Sequence, residues 1–223
     1  MAQPFFNRKI MKNKFVLFDF DGVIADSFET AFGAYSEINP RITKEYYRSR
    51  FEGNVNDWDD PDKIHLDKKK DETAFFEKYW PRFGAEVKLF PGIKAVLASL
   101  AEKYKLVIIS STLTSQIEGF LKKNRLDSFF AEVWGNDIHT SKVEKIKMVF
   151  EKFNISPDDC VFITDTLGDV READETGVGA IGVTWGFHND ETLLRDKSFG
   201  LVHKPSELPG IISDYFNRFQ DGN

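Results

Sequence analysis

Cysteine is almost absent from this chain: Cys160 stands alone among 223 residues. An intrachain disulfide is excluded, and a reducing, cytoplasmic setting is expected. Cys160 precedes the apolar run Val161-Phe162-Ile163, so a buried strand position is expected rather than a reactive thiol. Histidine is scarce, and His65, His139, His188 and His203 share no metal-ligand spacing. No apolar stretch approaches the length that crosses a bilayer. The opening MAQPFFNRKIMKNK has basic residues but neither an apolar h-region nor a small-residue cleavage site, and reads as a leader or loose arm, residues 1–13, before the first strand. Positive charge is in deficit: 30 Lys and Arg against 36 Asp and Glu leave a net charge of −6. Neither nucleic acid nor an anionic membrane is therefore an expected partner. An anionic substrate would need local positive charge or a metal. Trp58, Trp80, Trp134 and Trp185 form no stacking array for single-stranded nucleic acid.

The composition that remains, 41% hydrophobic and 30% charged, fits a soluble globular chain with one sizeable core. Short apolar runs at 15–18, 106–109, 161–163 and 180–183 read as buried parallel strands, with a weaker one at 199–202. Helical patterns at 92–103, 114–123, 143–153, 168–175 and 206–219 alternate with them, and Tyr215, Phe216 and Phe219 fall at a spacing that packs on a sheet. The alternation predicts an α/β fold, a doubly wound parallel sheet of Rossmann-like type. One region breaks the rhythm. Residues 26–89 hold no convincing buried strand and read as helices at 27–37, 43–51 and 72–80, an inserted helical domain. The core is then 14–25 and 90–223, resuming at Phe90-Pro91-Gly92.

In open α/β sheets, ligands bind beyond the carboxyl ends of the strands. Beyond the first strand stand Asp19 and Asp21; beyond the second, Ser110, Ser111 and Thr112; beyond the third, Thr164, Asp165 and then Asp169. Lys142 stands at a helix start. Strand alternation would point Asp19 and Asp21 the same way, and Gly22 permits a sharp turn after them. Carboxylates gathered in one place repel unless a cation intervenes, and a hard ion such as Mg²⁺ suits oxygen ligands. Ser110 and the Lys142 ammonium would then bind phosphate oxygens.

These motifs resemble the haloacid dehalogenase-like superfamily of hydrolases, over residues 14–210. The first motif is Asp19-Phe20-Asp21-Gly22-Val23-Ile24-Ala25-Asp26-Ser27; the second is LVIIS at 106–110; the third is Lys142, with Lys145 as a rival; the fourth is Asp165-Thr166-Leu167-Gly168-Asp169. GVGAIGVTWGFH resembles phosphoglycolate phosphatase-like members, and Phe90-Pro91-Gly92 resembles the return from an inserted cap. The resemblance implies that Asp19 attacks phosphorus and that Asp21 serves as acid and then base. It implies Mg²⁺ held by Asp19, the Asp21 carbonyl, Asp165 and Asp169, and a phosphoryl group bound by Ser110, Ser111 and Lys142. The 26–89 insert would be a helical cap that reads the leaving group, with Arg50, Gly53 and Asn54 as its substrate loop. Asp21 favours phosphate ester chemistry, because relatives that cleave carbon–halogen or carbon–phosphorus bonds generally lack the second acid.

The expected function is thus a Mg²⁺-dependent phosphatase for a small phosphorylated metabolite. A phosphomutase of the β-phosphoglucomutase type, or a non-catalytic binding protein on the same fold, remains open. Thr164 stands where the family often has Gly, and Val143 where the closest relatives have Pro. The aromatic residues are expected in the core and at the cap interface.

Overall fold

The computed structural model describes residues 13–56 and 68–218, with residues 68–72 described by their backbone. Residues 1–12 of the arm, and Trp58, His65 and Phe219, lie outside the described residues.

The apolar runs become strands because both faces of each are covered. β1 (Phe15–Phe18), β4 (Lys105–Ile109), β6 (Cys160–Thr164) and β7 (Gly179–Val183) join β5 (Phe130–Trp134) and β8 (Gly200–Val202) in a six-stranded sheet of order β5-β4-β1-β6-β7-β8. Every pairing in that sheet is parallel. Alternate residues serve opposite faces. Val16, Phe18, Leu106, Ile108, Val161 and Ile163 pack with α4 (Ile93–Ala101), α5 (Thr114–Asn124) and α9 (Leu208–Asn217). Phe15, Leu17, Val107, Ile109, Cys160 and Phe162 pack with α6 (Lys142–Phe153) and α7 (Leu167–Glu175). The short α8 (Asp190–Leu193) adds Leu193 to this second face. The doubly wound parallel sheet is therefore as expected, with Cys160 buried in it.

The insert leaves and rejoins the core at one place. β2 (Ala25–Asp26) and β3 (Lys88–Leu89) form a two-residue antiparallel ribbon, Ala25 opposite Leu89 and Asp26 opposite Lys88. Between them lie α1 (Phe28–Ile38), α2 (Lys44–Ser49) and α3 (Lys68–Glu86). α3 runs on past Pro81, beyond the expected stop at 80. A proline removes one helical hydrogen bond, but Tyr79 and Phe83 on either side of it are buried against the core and hold the next turn in place. Among the described residues no helix is long and apolar enough to cross a membrane.

Candidate active site

Three neighbouring strands stop at one level, so the residues just beyond their ends meet in space. Phe18 of β1 lies opposite Ile108 on one side and Ile163 on the other. Asp19, Ser110 and Asp165 are thereby brought to one edge. The Asp19 amide still donates to the Ile163 carbonyl at 2.9 Å, but the regular ladder ends at Phe18. Asp19 and Asp21 therefore share a cavity by virtue of a turn rather than of continued strand alternation. Gly22 makes that turn with φ +74°, and its amide donates to the Ala25 carbonyl at 2.8 Å. A Cβ at 22 would also lie 1.9 Å from Asp165 Oδ2, so both backbone and space demand glycine.

Lys142 opens α6 behind its cap Ser141, and its ammonium is buried. Nζ lies 3.0 Å from Asp19 Oδ1 and donates to Asp169 Oδ2 at 2.7 Å. The Thr164 hydroxyl donates to that same Asp169 oxygen at 2.6 Å. Lys145 faces elsewhere: its ammonium donates to the Ser110 carbonyl at 2.5 Å and the Gly135 carbonyl at 3.4 Å. Ser110 Oγ accepts the Thr112 amide at 3.0 Å, and Ser111 lines the same cavity. The Thr112 hydroxyl donates to Asp21 Oδ2 at 2.7 Å.

Burial sets the electrostatics. It pushes the Asp19 carboxyl well up; Lys142 pulls it down, while Asp169, Asp165 and Asp21 push it further up. Burial also raises Asp21, against the Thr112 hydroxyl from which it accepts. Asp165 is pushed up to about 8, by burial first and then by Asp169, against the Phe187 amide that it accepts. Burial works against the Lys142 charge, yet Asp169 and Asp19 hold its pKa above the ordinary lysine value. Lys145 is lowered to about 8 by burial and by Lys142.

The donor set suits a hard divalent cation. Asp165 Oδ2 accepts the Phe187 amide at 2.6 Å, whereas its buried Oδ1 has no hydrogen-bond partner, an arrangement that burial makes costly without a cation. As they stand, no three His, Cys, Asp or Glu side chains among the described residues already form a metal-holding cluster. The Lys142 ammonium lies between Asp19 and Asp169 instead.

The loop after α2 comes over these groups. Arg50 is buried, with its guanidinium 4.3 Å from the centre of the Tyr35 ring. The Gly53 carbonyl lies so close to α7 that a Cβ on Gly168 would sit 2.3 Å from it. The Asn54 amide donates to Glu172 Oε1 at 3.1 Å, an oxygen that also accepts the Lys142 backbone N–H at 3.1 Å. Glu172, pushed up to about 7 chiefly by burial, is a site residue that the sequence motifs do not single out. Asn136, which lines the same cavity, is another. The one available signal for Glu172 is its position three residues after Asp169, on the same face of α7. Arg50, Gly53, Asn136 and Glu172 line, with Asp19, Asp21 and Lys142, a cavity of about 220 Å³; Asn54 is not among the lining residues and touches the site through Glu172.

Residues 16–183 match the family described as haloacid dehalogenase-like hydrolase. The chain belongs to that family. Similar proteins of the haloacid dehalogenase-like family include a phosphoglycolate phosphatase of Synechococcus elongatus, 25% identical over 86% of this chain and 94% of its own. A phosphorylated carbohydrates phosphatase of Thermotoga maritima is 26% identical over 89% of this chain and 98% of its own. Among solved structures, a haloacid dehalogenase-like family protein from Streptococcus pneumoniae superposes with a TM-score of 0.76 at 24% identity, covering 89% of this chain and 98% of that one. That last likeness speaks for the fold. The chain is thus a hydrolase of the haloacid dehalogenase-like family whose relatives are named phosphatases.

Proposed function

We propose that this protein hydrolyses a small phosphate monoester, with Mg²⁺ as cofactor and an aspartyl-phosphate formed on Asp19. The observation that supports it best is a pairing. Burial raises the proton affinity of both carboxyls that share the cavity, Asp19 and Asp21, and the buried Lys142 ammonium 3.0 Å from Asp19 pulls that one back toward its ionised form. A nucleophile that must be ionised stands beside an acid that must hold a proton. The names of the relatives point to the same bond class.

In this reading an Asp19 oxygen attacks phosphorus in line with the ester bond. As that bond breaks, Asp21 gives its proton to the leaving oxygen. Asp21, now a carboxylate, takes a proton from an incoming water whose oxygen attacks phosphorus. The bond to Asp19 breaks, phosphate leaves, and both side chains return to their starting states. Lys142, Ser110 and Ser111 bind the phosphoryl oxygens, and the Thr112 hydroxyl orients Asp21. Asp19, Asp165, Asp169 and the Asp21 carbonyl would hold Mg²⁺, which when bound supplies positive charge to the phosphoryl oxygens. The 26–89 insert acts as the cap, with Arg50, Gly53 and Asn54 on the leaving-group side. The lone cysteine fits a cytoplasmic setting.

Phosphate release from p-nitrophenyl phosphate tests this, run with Mg²⁺, with a chelator, and with Asp19→Asn protein. Release that needs both Mg²⁺ and Asp19 is expected. Undiminished release by Asp19→Asn protein would overturn the mechanism. Isomerisation of a sugar phosphate without phosphate release would favour the mutase.

A further inference from the structure

We infer that the alcohol half of the substrate carries a flat aromatic ring. The inference rests on the phosphatase reading for the phosphate end and extends it to the other end. The floor of the cavity is polar: Asp19, Asp21, Ser110 and Lys142. Its roof is made of rings. α3 presents two rows at helical i, i+4 spacing. Phe75 and Tyr79 stack with centroids 5.0 Å and planes 17° apart, and Phe76 and Trp80 stack at 5.4 Å and 8°. All four line the cavity, and Tyr35 and Tyr47 face them from α1 and α2.

Packing of the insert accounts for part of this roof. Tyr79 is buried, as is Phe83 one turn on. Packing does not account for Phe76, which lines the cavity yet remains 42% exposed. Phe76 continues into the half-buried Phe75 and Trp80 on the same cleft wall, and a contiguous apolar patch lining a cleft marks what the cleft binds. Among the described lining residues of the insert, Arg50 alone is charged, and its guanidinium already lies 4.3 Å from a ring centre. A two-carbon carboxylate or a bare polyol would leave the rings of Phe75, Phe76 and Trp80 that line the cavity uncovered. A ring would meet ring faces and edges. A dry cavity of about 150 Å³ accepts benzene, and this cavity, polar floor and ring roof together, measures about 220 Å³.

The test compares benzyl phosphate, 2-phosphoglycolate and glycerol 3-phosphate. All three are esters of primary alcohols, so differences report recognition more than leaving-group ability. With Mg²⁺ present, benzyl phosphate is expected to show at least a tenfold higher kcat/KM than either of the others. Phe76→Ala is expected to bring the benzyl-to-glycerol ratio toward one. Calorimetric titration of Asp19→Asn protein with the same three esters gives the ranking without turnover. If phosphate is released but benzyl phosphate ranks level with the others or below them in both measurements, the inference falls and the phosphatase reading stands. A ratio unmoved by Phe76→Ala also overturns it. If no ester is hydrolysed while benzyl phosphate still binds tenfold more tightly, ring recognition stands and the phosphatase reading falls.

Discussion

Lys142 holds two buried carboxylates at once, at 3.0 Å from Asp19 and 2.7 Å from Asp169. Removing one partner of a buried ion pair leaves the other charge without compensation, at a cost of about 3 kcal/mol or more. Lys142→Met is therefore expected to lower metal-free stability by about that amount in urea unfolding, and to abolish phosphate release. Lys145 has the opposite energetics. Its pKa falls from 10.5 to about 8 because burial disfavours its charge. Below pH 8 both folded and unfolded chains carry the proton, and the folded state bears the full penalty. Between about 8 and 10.5 the unfolded chain binds more protons, so stability rises with pH. Wild type should gain on Lys145→Met across that window, by up to about 3 kcal/mol. Chemical denaturation at pH 7.5 and pH 10.5 reads the difference, and parallel pH profiles for the two proteins would contradict it.

Among the elements, α7 and the loop after α2 touch through backbone. The Gly168 amide donates to the Phe51 carbonyl at 2.9 Å, and a Cβ at 168 would sit 2.3 Å from the Gly53 carbonyl. Alanine is the better helix former, yet here it would push the loop away. Gly168→Ala is expected to lower kcat/KM about tenfold or more, since small misplacements near a reacting centre are costly. The circular dichroism spectrum should not change. An unchanged kcat/KM would mean that the loop does not need this contact. Elements also differ in how legible they are in the sequence. The four central strands announce themselves because burial on both faces demands unbroken apolar runs. β5 does not: it is an edge strand, and its FAEVW carries Glu132 and an exposed Ala131. The β2–β3 ribbon is two residues long on each side, too short for any periodicity. Asp19, Asp21, Asp165 and Asp169 can be read because they come within a few residues of a strand end. Glu172 carries only its helical spacing from Asp169, because its partner Asn54 is 118 residues away in sequence.

For the whole molecule, the crowding of Asp19, Asp165 and Asp169 is a standing cost to folding that a cation would relieve. Mg²⁺ at a hundredfold excess over its Kd is expected to stabilise the folded chain by about 2.7 kcal/mol. Thermal unfolding with and without a chelator checks this, and the shift should vanish in Asp165→Asn protein. Equal shifts in the two proteins would remove Asp165 from the metal site. The ribbon formed by Ala25–Asp26 and Lys88–Leu89 has a consequence of another kind. Both crossings between core and insert leave the sheet as immediate neighbours. To the sheet, everything between them is a single tethered attachment, so its length and contents are uncoupled from strand order. Under the proposed function, such a seam would let the part that faces the alcohol be exchanged while the part that handles phosphorus stays as it is.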